Sequence, residues 1–499
     1  MSAAFAFAGI LERGQQPADG EVGRLHGRDR REHLQPVSLR VLPEDDIGLL
    51  RREARPQARV LRDEDQLVVG NGEPVAHQRL DPVEVGERVV LRGKSSEHRD
   101  PFSPDGGGGG LLVSNFALWY LSVNNAPGEN DLAEKVLAAV RTAPQTTEFR
   151  EYDMPDIPDE AALLKVEVAG ICGTDVKFYS KPPFPGPVIM GHENIGYIAK
   201  AGETFKKRRG LKEGDLVFVE HYVGCMNCEH CHRGDYRLCM FTDWRKFPEG
   251  LRFGYTLAER APHLFGGFAQ YMYLPWNSII HKVPAGLSPE IAGVVTPMAN
   301  GIQWALFDCE VGYDSRVLIQ GPGQQGLSNT IACKQAGASL IIVTGTSKDR
   351  KRLDVAKKLG ADYTIVVDEE DPLQRIMEIT GGEGLDVSLD CTAGAGTIPT
   401  LLGVEALKRK GGTLQFQGED VPEFPNFPMG KIGNKYITVK AARGHNYESC
   451  ELALKQLASD RFDIGLITTH RFGLSKVHEA INAVGGSGDV IHVSLMPWE

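Results

Sequence analysis

Four cysteines near the middle of the chain have a spacing that could bind one metal ion. They follow the pattern Cys-x2-Cys-x2-Cys-x7-Cys, and they are Cys225, Cys228, Cys231 and Cys239. Two-residue spacers let successive thiolates converge on a tetrahedral zinc ion at roughly 2.3 Å from each sulfur. Four free or disulfide-bonded thiols are the alternative, but such clustering in a reducing compartment favours a metal. Because four sulfurs saturate the ion, we expect it to organise a loop and to do no chemistry.

Two shorter motifs upstream contain the residue types of a reactive metal site. The first is Gly-Ile-Cys-Gly-Thr-Asp at 170–175, with Cys172, and the second is Gly-His-Glu, with His192 and Glu193. A cysteine, a histidine and a carboxylate leave one position on zinc for water or a substrate oxygen. Zinc held in this way lowers the pKa of an alcohol, so that its carbon-bound hydrogen can leave as hydride. Each motif alone is weak, because a lone cysteine or histidine is more often a core residue.

A glycine-rich turn further along the chain predicts a dinucleotide site. Gly321, Gly323 and Gly326 follow an apolar strand at 317–320 and open a helix. The first glycine permits the tight turn, the second lets the backbone approach a pyrophosphate, and the third allows close helix packing. The helix amino terminus then offers free N–H donors to the phosphates. An ordinary glycine turn is the alternative, and the strand-turn-helix setting weighs against it.

The residues roughly twenty positions beyond this turn bear on the choice of cofactor, because NAD enzymes place an acidic residue there against the ribose. Gly345 stands at this position, followed by Thr346, Ser347 and Lys348. Hydroxyl and cationic groups without a carboxylate can accept a 2'-phosphate, so the pattern favours NADP over NAD. Both cofactors stay open, since Lys348 could equally be a solvated helix-start residue and Asp349 could turn inward.

The elements that must position these residues fall into two patterns. From about residue 134, apolar strands such as 162–168 and 215–219 alternate with glycine and proline turns, and we expect no long helix before about Pro289. From Ser315, strands and helices alternate, which predicts an α/β fold with a parallel, doubly wound sheet. The predicted strands of this second part are 316–320, 340–344, 363–367, 386–390, 413–417 and 490–495, and the predicted helices are 327–336, 350–359, 447–458 and 477–484.

These motifs, taken in order, resemble the zinc-dependent medium-chain dehydrogenase/reductase family, which includes alcohol, sorbitol and threonine dehydrogenases. The resemblance runs from about Leu137 to Glu499 and includes Gly-Gly-Phe-Ala-Gln-Tyr at 266–271, which looks like the strand before the domain junction. It implies a GroES-like, β-rich catalytic domain at 134–299, a Rossmann dinucleotide-binding domain at 300–440, and a return of 441–499 to the catalytic domain. It also implies two zinc ions, one catalytic and one structural.

The resemblance further implies roles for the reactive-site residues. Cys172 and His192 would bind the catalytic zinc, with Glu193 as a third ligand or an exchanging neighbour. Thr174 matches the hydroxyl that takes the alcohol proton in this family.

Two positions depart from the family pattern. Thr296 stands where polyol dehydrogenases have a glutamate and alcohol dehydrogenases a cysteine as the further zinc ligand. A neutral hydroxyl is a poor zinc ligand, so water or Glu193 would complete the shell, or the metal would bind weakly. Lys177 stands where many relatives have the histidine that ends the proton relay, so proton release would run from Thr174 to the cofactor ribose and water.

The first 133 residues have a different composition from the rest of the chain. Up to Gly110 they contain 15 arginines and one lysine, with no cysteine, tyrosine or tryptophan. A segment so poor in aromatic residues has little to bury, so we expect residues 1–133 to be disordered. An upstream start site or a wrong reading frame would explain the composition, and a basic interaction arm is the alternative.

The net charge and the hydrophobic pattern of the whole chain narrow the range of expected binding partners. A formal charge of -11 argues against a nucleic-acid surface. The sequence has no run of 18 apolar residues, so we expect no membrane span. The amino terminus lacks the basic lead of a secretory signal, so we expect a cytoplasmic protein. The expected substrate is a small alcohol, polyol or aldehyde, and the family resemblance implies a homodimer or homotetramer. A non-catalytic zinc and dinucleotide sensor of the same fold is the alternative function.

Overall fold

The computed structural model describes residues 135–499, apart from residues 184, 244, 245, 248, 418–422 and 487. The predicted disorder of residues 1–133 lies outside the described residues. The strands are β1 (Lys135–Ala143), β2 (Thr146–Asp153), β3 (Ala162–Ile171), β4 (Val188–Ile189), β5 (Glu193–Ala201), β6 (Leu216–Val223), β7 (Tyr271–Leu274), β8 (Ser278–Lys282), β9 (Arg316–Gln320), β10 (Leu340–Gly345), β11 (Tyr363–Val366), β12 (Val387–Asp390), β13 (Thr413–Phe416), β14 (Thr438–Ala441), β15 (Thr468–Gly473) and β16 (His492–Met496).

The helices are longer and more numerous in the second half of this range. They are α1 (Gly173–Ser180), α2 (Glu203–Arg209), α3 (Glu229–His232), α4 (Pro289–Ala292), α5 (Val295–Ile302), α6 (Gln324–Ala336), α7 (Arg350–Lys358), α8 (Pro372–Ile379), α9 (Ile398–Ala406), α10 (Met429–Lys435), α11 (Tyr447–Leu457) and α12 (Val477–Ala483). A π-helical turn at Gln303–Asp308 continues α5. Single 3-10 turns lie at Tyr236–Leu238, Met240–Thr242, Ser347–Asp349, Ile464–Leu466 and Leu474–Lys476.

A seven-stranded sheet carries the reactive-site motifs. Its order is β15-β16-β3-β5-β6-β8, with β7 also paired to β3. Eight of the ten residues of β3 are buried, because apolar side chains cover both of its faces. The last strand, β16, pairs antiparallel with β3, so the carboxyl-terminal segment joins this sheet. A separate three-stranded sheet has the order β2-β1-β4.

A six-stranded parallel sheet forms the second part, in the order β11-β10-β9-β12-β13-β14. Parallel neighbours need crossover connections, and α6 and α7 supply those between β9, β10 and β11. The strand order changes direction between β9 and β12. Ligands bind such sheets in the crevice outside the carboxyl ends of the strands at this point. The predicted α/β fold with a doubly wound parallel sheet is confirmed.

Close helix packing joins the parallel sheet to the segment before it. Apolar side chains of α5, α6 and α11 share one buried core with those of β9. Gly301 of α5 permits a close approach to α6, because a Cβ there would lie 2.8 Å from the Ser328 backbone. No helix in the described part of the chain is both long enough and apolar enough to cross a membrane.

The helices before Pro289 are short, as the sequence predicts, since α1 and α2 have eight and seven residues. In α2, Phe205 is the one buried side chain, so the sequence there shows no apolar helical period. The prediction that 266–271 forms a strand was wrong, since β7 begins only at Tyr271. Gly266 and Gly267 instead pack closely against β4 and β5. A Cβ on Gly266 would lie 2.0 Å from the Ile189 carbonyl oxygen, and a Cβ on Gly267 would lie 1.6 Å from Asn194 Oδ1.

Candidate active site

Cys172 lies where β3 ends and α1 begins. It precedes the first helical residue in an extended conformation, with φ of -93° and ψ of 159°. Its backbone N–H donates to Asp175 Oδ2 at 3.0 Å. A carboxylate three residues into a helix commonly satisfies an N–H group at the helix start that has no partner within the helix. The strand end and the helix start therefore fix the position of the thiol.

His192 and Glu193 follow a glycine turn and begin β5. Gly191 has a positive φ of +87°, and a Cβ there would lie 2.5 Å from the Phe268 ring, so the turn requires glycine. The Gly267 N–H donates to the Gly191 carbonyl oxygen at 2.9 Å. The glycine-rich segment 266–270 thus supports the turn that presents His192.

The ladder between β3 and β5 brings the two motifs together. Gly170 pairs with Glu193 across this ladder, and a Cβ on Gly170 would lie 2.6 Å from Glu193 Oε2. The glycine therefore leaves the space that the carboxylate occupies. The ligand atoms of Cys172, His192 and Glu193 all lie within 4.8 Å of one another. Small side-chain movements would let one ion bind all three.

Asp175 orients His192, a role that the sequence analysis missed. Its Oδ1 lies 3.3 Å from His192 Nδ1, and both side chains are buried. A carboxylate on one ring nitrogen leaves the other available, which is the usual arrangement for a metal-binding histidine. The position of Asp175, three residues after Cys172, signals a helix start. Its contact with His192 depends on the fold and has no local signal.

Burial changes the acidity of two groups at this site. Burial alone would lower the pKa of His192, but attraction to neighbours led by Asp175 outweighs it, and the pKa lies well above its usual value. Burial raises the pKa of Glu193 to about 7, although His192 opposes the shift. Glu193 Oε2 has no hydrogen-bond partner among the described residues. A cation would supply the missing partner and displace the protons, so the three residues fit a zinc ion.

Other polar groups border the site. Thr174 Oγ1 lies 3.7 Å from Cys172 Sγ, and Lys177 is half-buried further along α1. The ring centroids of His221 and Tyr255 lie 5.3 Å and 5.5 Å from that of His192. The sequence analysis missed both rings, because they are distant from the motifs along the chain and no spacing marks them.

Thr296 is buried near the start of α5. Its hydroxyl has no hydrogen-bond partner within the described part of the chain. A buried hydroxyl in this condition could bind another molecule.

The four-cysteine loop follows β6 and encloses α3. The four sulfurs lie within 4.8 Å of one another, and those of Cys225 and Cys231 are 3.9 Å apart. Two ligands of a tetrahedral ion with bonds of roughly 2.3 Å have about this separation. The backbone N–H of Cys231 lowers the pKa of Cys228 to about 7, which favours the thiolate that binds metal. These residues fit a second zinc ion.

The glycine turn after β9 lies at the carboxyl edge of the parallel sheet. Gly321 has φ of +90°, and a Cβ there would meet the Cys391 carbonyl oxygen, beyond the end of β12, at 3.1 Å. A Cβ on Gly326 would lie 1.9 Å from the Gly321 carbonyl oxygen, so close packing excludes a side chain. A Cβ on Gly323, which precedes α6, would meet open space. The turn thus leaves room beside the free N–H groups of α6, as a pyrophosphate requires.

The next strand, β10, ends at Gly345 beside this turn. The Thr346 hydroxyl donates to Asp349 Oδ2 at 2.8 Å, and the Ser347 hydroxyl donates to Asp368 Oδ2 at 2.6 Å. Lys348 is exposed, and its ammonium forms no ion pair with the described residues.

Comparison with known proteins agrees with this arrangement. Residues 158–301 match the family described as alcohol dehydrogenase GroES-like domain, and residues 326–459 match the family described as zinc-binding dehydrogenase. A probable alcohol dehydrogenase of Mycobacterium tuberculosis is 33% identical over 371 residues, which cover 72% of this chain and 98% of the relative. A sorbitol dehydrogenase of Halalkalibacterium halodurans is 32% identical over 365 residues, covering 72% of this chain and 99% of the relative.

Solved structures share the fold. An alcohol dehydrogenase of Thermotoga maritima has a TM-score of 0.64 at 25% identity, covering 73% of this chain and 100% of that one. An oxidoreductase of unknown specificity from Escherichia coli has a TM-score of 0.63 at 26% identity, covering 72% and 99%.

The fold, the metal-binding motifs and the relatives together define an oxidoreductase that uses zinc and NAD(P) and acts on CH–OH groups. The chain belongs to the zinc-dependent medium-chain dehydrogenase/reductase family. The predicted GroES-like part and the predicted class of enzyme are confirmed. The relatives named here are dehydrogenases, and nothing among them favours a non-catalytic sensor.

Proposed function

We propose that this dehydrogenase oxidises a small alcohol or polyol, or reduces the corresponding carbonyl compound, at Cys172, His192 and Glu193. The convergence of these three side chains within 4.8 Å supports the proposal. When bound, zinc would supply the Lewis acidity that lowers the pKa of the alcohol, and the nicotinamide would accept the hydride.

The residues of the chain have separate roles in this proposal. Cys172 and His192 hold the metal, while Asp175 fixes the ring of His192. Thr174 accepts the alcohol proton at Oγ1, which lies 3.7 Å from Cys172 Sγ. Lys177 has no basic lone pair when charged, so the proton leaves from Thr174 to the cofactor ribose and water.

Glu193 is proposed as the third protein ligand. Its carboxylate completes the cluster whose ligand atoms lie within 4.8 Å of one another, and a neutral hydroxyl such as that of Thr296 is a poor substitute. The four thiolates of the cysteine loop hold the structural ion.

We also propose NADP as the preferred cofactor, bound along Gly321, Gly323 and Gly326. At the end of β10, Gly345 places no carboxylate against a 2'-phosphate, and the ammonium of Lys348 has no ion-pair partner among the described residues. The carboxylates of Asp349 and Asp368 are occupied by Thr346 and Ser347. Those two hydroxyls would have to turn towards the phosphate.

The substrate class rests on the relatives. Those named above include an alcohol dehydrogenase and a sorbitol dehydrogenase, and an L-threonine 3-dehydrogenase of Pyrococcus furiosus is 31% identical over 373 residues. A panel of secondary alcohols, polyols and aldehydes, followed by the absorbance of the reduced nicotinamide with each cofactor, tests the proposal. Turnover with NADP on at least one secondary alcohol or polyol supports it. No turnover by the zinc-loaded protein on any compound would contradict it.

We propose the domain organisation that the sequence predicts: a catalytic domain at 134–299, a dinucleotide-binding domain at 300–440, and a segment at 441–499 that returns to the catalytic domain. We further propose a cytoplasmic homodimer or homotetramer. Strand β14 lies at the edge of the parallel sheet, and Met429 and Tyr436, in the segment that leads into it, are each more than 60% exposed. Light scattering of the purified protein would measure the number of subunits.

A further inference from the structure

A second mixed group of metal-binding side chains lies between the seven-stranded sheet and α11. Glu220 is on β6, His281 on β8 and Cys450 on α11, and their ligand atoms lie within 4.8 Å of one another. All three are almost completely buried, as is His445, which lies just before α11. Neither the reactive site nor the cysteine loop includes any of these residues.

His281 is held as a metal-binding histidine usually is. Its Nδ1 contacts Glu451 Oε1 at 2.5 Å, and its Nε2 contacts Glu220 Oε1 at 2.8 Å. The carboxylate of Glu451, which is partly exposed, therefore fixes the ring while Nε2 faces the buried group. The Tyr447 ring lies 4.3 Å from that of His281, centroid to centroid.

The tautomer of His445 follows from a series of amide hydrogen bonds. Gln325 Nε2 donates to the Pro297 carbonyl oxygen at 3.3 Å, and Asn300 Nδ2 donates to Gln325 Oε1 at 3.3 Å. Asn300 Oδ1 is therefore the atom that lies 2.9 Å from His445 Nδ1. Because that oxygen can only accept, Nδ1 carries the proton of the neutral ring and Nε2 has a free lone pair.

This lone pair faces another acceptor. His445 Nε2 lies 3.8 Å from Glu220 Oε2, and both atoms are buried without a hydrogen-bond partner among the described residues. Two buried acceptors that face each other without a donor are costly. A second proton on His445 would place a charge on a fully buried imidazole, which burial disfavours. A cation between the two atoms would offset the cost.

The remaining ligand is the Cys450 thiol, which is fully buried within 4.8 Å of the Glu220 carboxylate. Burial and a neighbouring negative charge both favour the protonated thiol when no ion is bound. A divalent ion supplies the positive charge that stabilises a thiolate.

We propose that Glu220, His281, His445 and Cys450 form a third metal site, which binds zinc or a similar divalent transition-metal ion. One sulfur, two imidazole nitrogens and a carboxylate oxygen are donors that zinc accepts. Four protein ligands leave no open position, so the ion is structural and ties α11 to β6 and β8. Both ring nitrogens of His281 contact carboxylate oxygens, which only accept, so the ring carries two protons when no ion is bound. Binding therefore releases two protons, one from His281 Nε2 and one from the Cys450 thiol. The buried group keeps its net charge, since the two protons are exchanged for one divalent ion.

Metal content of purified full-length variants tests the third site. The wild-type chain should contain three zinc ions, and Cys450→Ala should contain two. The matched control is Cys333→Ala, because Cys333 is equally buried, on α6, and belongs to no metal-binding group of the described residues. It should contain three. His445→Ala should also lose one ion while Cys333→Ala keeps all three.

The variant Cys172→Ser separates failure of this proposal from failure of the proposed function. Cys172→Ser should lose one zinc ion and the activity, whether or not the third site exists. Two ions in the wild type, one in Cys172→Ser and two in Cys450→Ala would overturn the third site alone. Equal zinc content in Cys450→Ala, His445→Ala and the wild type would also overturn it. If neither variant folds, the zinc content of the wild type and of Cys172→Ser decides: three and two ions support the third site, whereas two ions and one overturn it.

Discussion

The two proposed metal sites differ in how the chain builds them. The four-cysteine loop takes all its ligands from 15 consecutive residues, 225–239, after one strand. The reactive site takes Cys172 from the end of β3 and His192 and Glu193 from the start of β5, and Asp175 holds the ring of His192. Four thiolates close the first site, whereas three mixed ligands leave the second open. Loss of the ion from the four-cysteine loop should therefore lower stability, and loss of the ion from the reactive site should lower activity.

The largest effect should come from Cys172→Ser. Losing about 4 kcal/mol of transition-state stabilisation lowers kcat/KM by about 10³-fold. Steady-state assays measure this loss. The melting temperature should change little, because the rest of the β3–β5 ladder and the cysteine loop are intact. A variant that keeps more than a tenth of wild-type activity would contradict the assignment of Cys172.

Cys228→Ser should produce the opposite pattern. A structural zinc contributes to folding outright, and a loss of roughly 4 kcal/mol lowers Tm by about 5 °C in a folded region of this size. Thermal unfolding followed by circular dichroism measures the shift. Activity measured well below Tm should fall much less than in Cys172→Ser. An unchanged Tm together with lost activity would reverse the comparison.

Asp175→Asn should have an intermediate effect on the reactive site. Replacing a carboxylate that orients a metal-binding histidine typically costs about 10–100-fold in metal affinity or activity. Metal affinity, measured by competition with a chelator, should fall with the activity. Asp159→Asn is the matched control, because its exposed carboxylate contacts Thr204 at the start of α2 and not a proposed metal ligand. Equal effects of the two changes would remove the role given to Asp175.

The smallest effect should come from Lys348→Ala, outside both metal sites. Removing one charged contact to a 2'-phosphate should raise KM for NADP about tenfold, or roughly 1.4 kcal/mol, and leave KM for NAD unchanged. Lys351→Ala is the control, since this exposed lysine of α7 forms an ion pair with Asp489. An equal change with both cofactors would argue against a phosphate contact.

The sequence predicts local features well and distant ones poorly. The predicted strand 316–320 is reproduced by β9, and the four predicted helices begin within a few residues of the starts of α6, α7, α11 and α12, because each has its own turn signals. The helices α8, α9 and α10 were not predicted. The short helix α2 has no apolar period, so nothing marks it. Asp175, His221 and Tyr255 acquire meaning only when β3, β5 and β6 are paired. The group of Glu220, His281, His445 and Cys450 spans 231 positions along the chain and cannot be recognised from spacing.

Anomalous diffraction at the zinc absorption edge, from crystals of the zinc-loaded protein, tests the central claim most directly. We expect a peak between Cys172 and His192, roughly 2.3 Å from Sγ and about 2.0–2.1 Å from a ring nitrogen. A map with a peak in the cysteine loop and none between these two side chains would contradict it.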